Sequence, residues 1–209
     1  MKSSKKINNL QWKTILSYLL TDLPHVRDLE IIEGRHTMLN LFPKNSVCAE
    51  IGVAKGDFSK KMLQITYPSK LHLVDIWGGK MWPYIEDKFQ EEVTSGTVVL
   101  HRQTSEEASE VFPERCFDWI YIDANHTYKF IHSDLEKYKS KMKKGGIIAG
   151  HDYFITEPKK KPPFGVVQAV NEFCYKYNWR MTHLVLEKWN SVTDQYICSY
   201  MLKDNSERN

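Results

Sequence analysis

No stretch of this 209-residue chain is apolar over anything near the roughly 20 residues a membrane span needs, so bilayer insertion is not expected. Its four cysteines, Cys48, Cys116, Cys174 and Cys198, never form a CxxC pair. That removes the common zinc and redox spacings and leaves small buried thiols as the expectation. The GxGxxG fingerprint of dinucleotide sites is missing too. In the one turn that approaches it, after Gly52, Ala54 and Asp57 stand where the second and third glycines would be. A nicotinamide or flavin oxidoreductase is therefore disfavoured. Charge of one sign is scarce, with a net of +3. The dense basic cluster Lys159, Lys160 and Lys161, beside Pro162 and Pro163, reads as a solvated loop, which disfavours nucleic acid as a partner. The basic start, MKSSKKINNLQWK, runs into polar and amphipathic sequence with no apolar h-region, and a cytoplasmic location is expected.

What the chain does have is alternation. Trp12, Ile15, Leu16, Leu19, Leu20 and Leu23 recur at helical spacing before Pro24, and a second helical pattern precedes Pro43. Residues 1–44 are thus expected to form a helical cap ahead of one domain over 45–209. From residue 46, short apolar runs alternate with amphipathic segments. The runs are SVCAEIG (46–52), KLHLVDI (70–76), TVVLH (97–101), FDWIYID (117–123) and GIIAG (146–150). Between them, Phe58, Met62 and Ile65 share one helical face, and Ile131, Leu135, Tyr138 and Met142 another. A later helix carries Val166, Val170, Phe173 and Tyr177. Two β-rich pieces, 179–186 and 194–203, close the chain around Asn190 and Ser191. The fold class predicted is α/β: a Rossmann-like, seven-stranded, mostly parallel sheet with a C-terminal antiparallel hairpin and helices on both faces.

In such a sheet, ligands bind at the carboxyl ends of the strands, and the first β-to-α turn supplies the backbone platform. AEIGVAKGDF provides that turn. Gly52 lets a ligand approach the chain, and Gly56 permits a sharp entry into a helix that Asp57 is expected to cap. Glu50, just before the first glycine, suits a cationic ammonium or sulfonium better than a pyrophosphate. Asp75, at the end of the second strand, is placed to accept both hydroxyls of a ribose. After the third strand, Thr104 or Ser105 is expected to cap the next helix with Glu107, and Gln103 to Ser105 could also contact an adenine. Asp123 ends the fourth strand, followed by Ala124, Asn125 and His126; His151 and Asp152 follow the fifth. Neighbouring strand ends would bring Asp123, His151 and Asp152 to one rim. Carboxylates there suit Mg2+, and an added imidazole shifts the preference toward manganese, iron or zinc. His126 is the first candidate for a general base and Asp123 the second, and Gly56 and Asp123 are also expected beside the bound ligand.

The glycine turn, Asp75 and the segment YIDANHTYKFIHSDLEKYKSKMKKGGIIAGHDYF (121–154) together resemble the class I S-adenosylmethionine-dependent methyltransferases. More narrowly, the last segment is similar to the macrocin O-methyltransferase-like and cephalosporin-hydroxylase-like small-molecule group. The resemblance implies a cofactor pocket lined by Glu50, Gly52 and Asp75, a divalent ion held by Asp123 and Asp152, and a base at His126. Where relatives often carry a second acidic or amide residue, this chain has His151. The function expected is O-methylation of a small hydroxylated metabolite such as a sugar, with S-adenosylmethionine as cofactor. The partners expected are the small-molecule acceptor and, in a homo-oligomer, a second copy of the chain. The alternatives are a catalytically silent nucleotide-binding protein and a methyltransferase acting on a macromolecule. Against base N-methylation, the fourth strand ends in DANH rather than a (D/N)PP(Y/F) turn. Acceptor choice is expected to reside in the N-terminal helices, the 77–84 loop and the 154–164 loop, with Trp77, Trp82, Tyr84, Tyr153 and Phe154 divided between an aromatic wall and ordinary packing.

Overall fold

Each apolar run becomes a strand because β-branched and aromatic residues fill both faces of the pleat at once. The computed structural model describes residues 24–153, 165–188 and 196–205. Its strands are β1 (Glu30–Glu33), β2 (Val47–Ile51), β3 (Lys70–Asp75), β4 (Val98–Arg102), β5 (Phe117–Ile122), β6 (Met142–Gly150), β7 (Trp179–Lys188) and β8 (Tyr196–Asp204). They form one sheet in the order β1-β7-β8-β6-β5-β2-β3-β4. Among these strands β8 alone is antiparallel to its neighbours, β6 and β7, so the mostly parallel sheet with a C-terminal hairpin is found as expected. The described sheet has eight strands rather than seven. The addition, β1, lies within the segment expected to be helical and pairs in parallel with β7, from Glu30↔His183 to Glu33↔Leu186.

Helices α1 (Arg35–Asn40), α2 (Asp57–Thr66), α3 (Met81–Lys88), α4 (Gln90–Thr94), α5 (Ser105–Val111), α6 (Tyr128–Lys139) and α7 (Val166–Tyr177) cover the sheet. Side-chain alternation divides the core into two layers. Ala49, Ile51, Ile120 and Ile122 face Leu135, Val170 and Phe173, whereas Cys48, Leu73, Trp119 and Tyr121 face Met38, Met62 and Phe89. Met142, expected on the helical face of Ile131, Leu135 and Tyr138, instead begins β6, because that strand starts four residues before the GIIAG run. All four cysteines are free, and Cys48, Cys174 and Cys198 are buried. No helix among the described residues is long and apolar enough to cross a membrane. The expected helix of Trp12 to Leu23, the Lys159 to Lys161 run, the 154–164 loop and the turn at Asn190 and Ser191 lie outside the described residues.

Register is what creates a site. Ile51 pairs with Val74 and with Ile122, Val74 pairs with His101, and Ile122 pairs with Gly150. Strands β2 to β6 therefore end level, and the residues just past each end share one rim.

Candidate functional site

Backbone hydrogen bonds continue past the strand ends and fix that rim. Gly52 N donates to Val74 O (2.9 Å), Asp123 N to Ile51 O (2.7 Å), His151 N to Ile122 O (3.0 Å) and Gln103 N to Asp75 O (3.1 Å). A cavity of about 470 Å3 opens there, lined by Gly52, Asp75, Gln103, Thr104, Ser105 and Asp123, with Ile76 and Phe130 as exposed apolar walls. Five residues expected at a cofactor, Gly52, Asp75, Thr104, Ser105 and Asp123, are thus brought together. Glu50 and Gly56 are not among its lining residues.

Asp75 organises the glycine turn. Its Oδ2 accepts from Val53 N (2.8 Å) and Ala54 N (2.9 Å), and its Oδ1 accepts from Trp77 N (3.2 Å). The two glycines have packing reasons of their own. A Cβ on Gly52, at φ +89°, would lie 2.3 Å from Asp123 O, and one on Gly56, at φ +71°, 2.5 Å from the Phe89 ring. Gly56 is itself the N-cap of α2, so the cap expected from Asp57 is absent; Asp57 is exposed and pairs with Lys88 Nζ at 2.5 Å. Thr104 does cap α5, in a full capping box with Glu107. In the expected aromatic wall, Trp77 and Tyr153 are buried packing residues, with Trp77 Nε1 donating to Ala54 O (3.1 Å) and Tyr153 OH to Asn171 Oδ1 (2.9 Å). Tyr84 is exposed, and Phe154 lies outside the described residues.

Beside the cavity is a carboxylate and imidazole cluster. Ligand atoms of Asp123, His126 and Asp152 all lie within 4.8 Å of one another. His126 Nδ1 is 3.3 Å from Asp152 Oδ2. His151 Nδ1 stands 3.0 Å from Asp152 Oδ1 and 3.6 Å from Asp123 Oδ1, so His151 backs both carboxylates and His126 takes the third place in the compact group. Asp152 holds a left-handed backbone, φ 57°, which costs a non-glycine residue about 1–3 kcal/mol. Burial pushes the Asp123 carboxyl up to about 6, His151 and His126 opposing and Asp152 adding to the rise. A cation among these groups would offset both effects.

Glu50 lies on the opposite face of β2, 2% exposed, and accepts from Ser59 Oγ. Burial lifts its carboxyl to about 8, with the Ser59 hydrogen bond opposing. The folded protein therefore holds this proton more tightly than the unfolded chain, whose glutamate titrates near 4.5. Stability from the group is complete below about pH 4.5 and is lost as pH rises toward 8. Glu50→Gln, neutral throughout, should gain on wild type by on the order of 2 kcal/mol between pH 5 and 8 in urea denaturation. Parallel pH profiles for the two proteins would refute this.

The sequence profile of the family described as "Methyltransferase domain" matches residues 49–153. No curated protein matches the chain in sequence. Among solved structures, the fold is similar to that of the tRNA methyltransferase TrmK of B. subtilis, at 13% identity and TM-score 0.60, over 82% of this chain and 65% of that one. The chain thus spans 65% of TrmK's length. It is also similar to TYW2 of M. jannaschii in complex with AdoMet, at 12% identity and TM-score 0.54, over 81% and 73% of the two chains. A third likeness is to a SAM dependent methyltransferase of Aquifex aeolicus, at 16% identity and TM-score 0.58, over 91% and 97%.

Proposed function

Because this chain belongs to the methyltransferase domain family, we propose that it transfers the methyl group of S-adenosylmethionine to an oxygen of a small hydroxylated metabolite, such as a sugar, with a divalent cation assisting. The observation that carries this reading is the shared rim, where the cavity containing Asp75 adjoins the cluster of Asp123, His126 and Asp152. AdoMet in the similar TYW2 structure supports the choice of cofactor.

The donor is a sulfonium and already activated, so the protein's tasks are alignment and removal of one proton from the acceptor. Asp75 Oδ2 fixes the glycine turn, and its carboxylate, on the cavity lining, serves the ribose hydroxyls. Asp123 and Asp152 would hold the cation, steadied from behind by His151. When bound, a divalent ion supplies polarisation of an acceptor oxygen, which lowers the pKa of its hydroxyl. His126, oriented through Nδ1 by Asp152, takes the proton.

Titrating S-adenosylhomocysteine into wild type and Asp75→Ala by calorimetry tests the cofactor assignment. One-site binding is expected, weakened roughly 10- to 100-fold by the substitution, as befits the loss of one or two charge-assisted hydrogen bonds. A folded wild type that binds nothing ends the reading. An acceptor screen with and without a chelator tests the rest. Turnover indifferent to chelation removes the cation, methylation of tRNA but not of sugars removes the small acceptor, and binding without any turnover favours a silent binding protein.

A further inference from the structure

His72 and His101 meet across β3 and β4, away from the cavity, which neither of them lines. His72 pairs in register with Val99, and His101 with Val74, so the two imidazoles stand on one face of neighbouring strands as a diagonal cross-strand pair. His72 Nδ1 lies 2.8 Å from His101 Nε2. Two phenyl rings fix this arrangement from the core side. Phe112 meets both imidazoles edge-on, its centroid 5.2 Å from that of His72 and 5.0 Å from that of His101, and Phe117 meets His72 in the same way at 5.6 Å.

Two ring nitrogens aimed at each other share a single proton, and the other species that fits between them is a cation bound by both lone pairs. Burial, with His101 and Lys70 adding, holds His72 down to about 4, and burial lowers His101 as well. Near neutrality both rings are therefore uncharged, the state that ligates metal. The outer nitrogens, His72 Nε2 and His101 Nδ1, make no protein hydrogen bond and are not closed off from solvent. The proton between the rings can thus pass through water to the outer nitrogen of its own ring, which frees both inner lone pairs with no net proton release. Zinc takes imidazole nitrogens at about 2.0–2.1 Å in a tetrahedral array, which sets two of them about 3.3–3.4 Å apart. Opening the contact by about 0.5 Å, a small turn of the two rings, makes it a two-nitrogen chelate with water in the remaining positions. Imidazoles without a carboxylate select zinc, copper or nickel over magnesium, unlike the carboxylates at the rim.

We propose that His72 and His101 form a metal site separate from the rim, a cross-strand chelate for a divalent transition ion such as Zn2+ that clips β4 to β3. β4 is the outermost strand on its side of the described sheet and pairs with β3 alone. A clip there fastens the strand that leads directly into Gln103, Thr104 and Ser105 of the cavity wall. The proposal does not depend on what the cavity binds.

Zn2+ titrated into the full chain, followed by NMR of the imidazole nitrogens, tests it. The His72 Nδ1 and His101 Nε2 signals should shift together and saturate at one ion per pair, in wild type and equally in Asp123→Asn, whose rim cluster has lost a carboxylate. Mg2+ at the same concentration should leave both signals in place. His72→Gln and His101→Gln, each checked for folding by thermal melting, should weaken the binding by roughly tenfold or more, since even an outer-shell partner of a metal ligand is worth roughly 10- to 100-fold. Zn2+ that moves only His126 and His151, or one ring of the pair without the other, overturns the proposal. That outcome is read in wild type alone and stands even where a glutamine variant does not fold. Equal shifts with Mg2+, or undiminished Zn2+ affinity in a folded glutamine variant, overturn it as well and leave the pair as an N–H···N hydrogen bond.

Discussion

Replacing Gly52 by alanine is expected to destabilise the protein by about 3–5 kcal/mol and to abolish ligand binding at the rim in whatever fraction still folds. Two costs combine. At φ +89° an L side chain is strained, by about 1–3 kcal/mol. The added Cβ would also lie 2.3 Å from Asp123 O and 2.6 Å from Ala124 Cα. Those are backbone atoms of the adjacent strand end, not a side chain that can swing aside. Relief requires β5 and its following turn to move away from β2, carrying Asp123 with them. Urea denaturation reads the first effect, and S-adenosylhomocysteine calorimetry on the folded fraction reads the second. A denaturation midpoint equal to wild type would show that the close approach of the two strand ends is not real.

Gly52 also shows how much of the site is legible in the sequence. Glycine at a strand-to-helix turn signals close approach of something, and the sequence reading gives that role to a ligand. Which neighbour approaches depends on sheet order, and the pairing of β2 with β5 across 65 residues of intervening chain leaves no local trace. Gly56 carries the same lesson, since its neighbour is the Phe89 ring. Asp75, Asp123 and the 151–152 pair are legible because a strand end is visible in its own apolar run, and level register then brings separate ends together. That His126 joins Asp123 and Asp152 in the compact cluster while His151 stands behind them is not legible, because it depends on the conformation of the turns that follow β5 and β6.

Two other features escape for different reasons. β1 is four residues, EIIE, with Ile31 60% exposed, too short and too little buried to show a period; only β7 makes it a strand. Asp134, a buried carboxylate on α6 that accepts from Ser105 Oγ at 2.7 Å, escapes because an acid on a charged helix reads as solvent-facing. Its spacing was the available signal, since 131, 134, 135 and 138 fall on one face.

His126→Ala should lower turnover of the identified acceptor by roughly 100- to 10,000-fold, the usual worth of a positioned general base, while S-adenosylhomocysteine affinity stays at the wild-type value. The separation of the two readouts follows from placement. The cavity is lined by Gly52, Asp75, Thr104, Ser105 and Asp123, and His126 is not among its lining residues. The imidazole reaches the rim from a turn held by other means: Asn125 Oδ1 accepts from Thr127 N at 3.0 Å, and Gly165 N donates to His126 O at 2.8 Å. Gly165 can approach so closely because a Cβ there would lie 2.4 Å from Tyr128. These contacts use the backbone of His126 and the side chain of Asn125, so truncating the imidazole leaves the turn standing. Single-turnover methyl transfer at saturating cofactor isolates the chemical step. Loss of transfer together with loss of cofactor binding would assign His126 to the pocket instead of the proton, and undiminished transfer would move the base to Asp123, whose carboxyl burial already holds near 6.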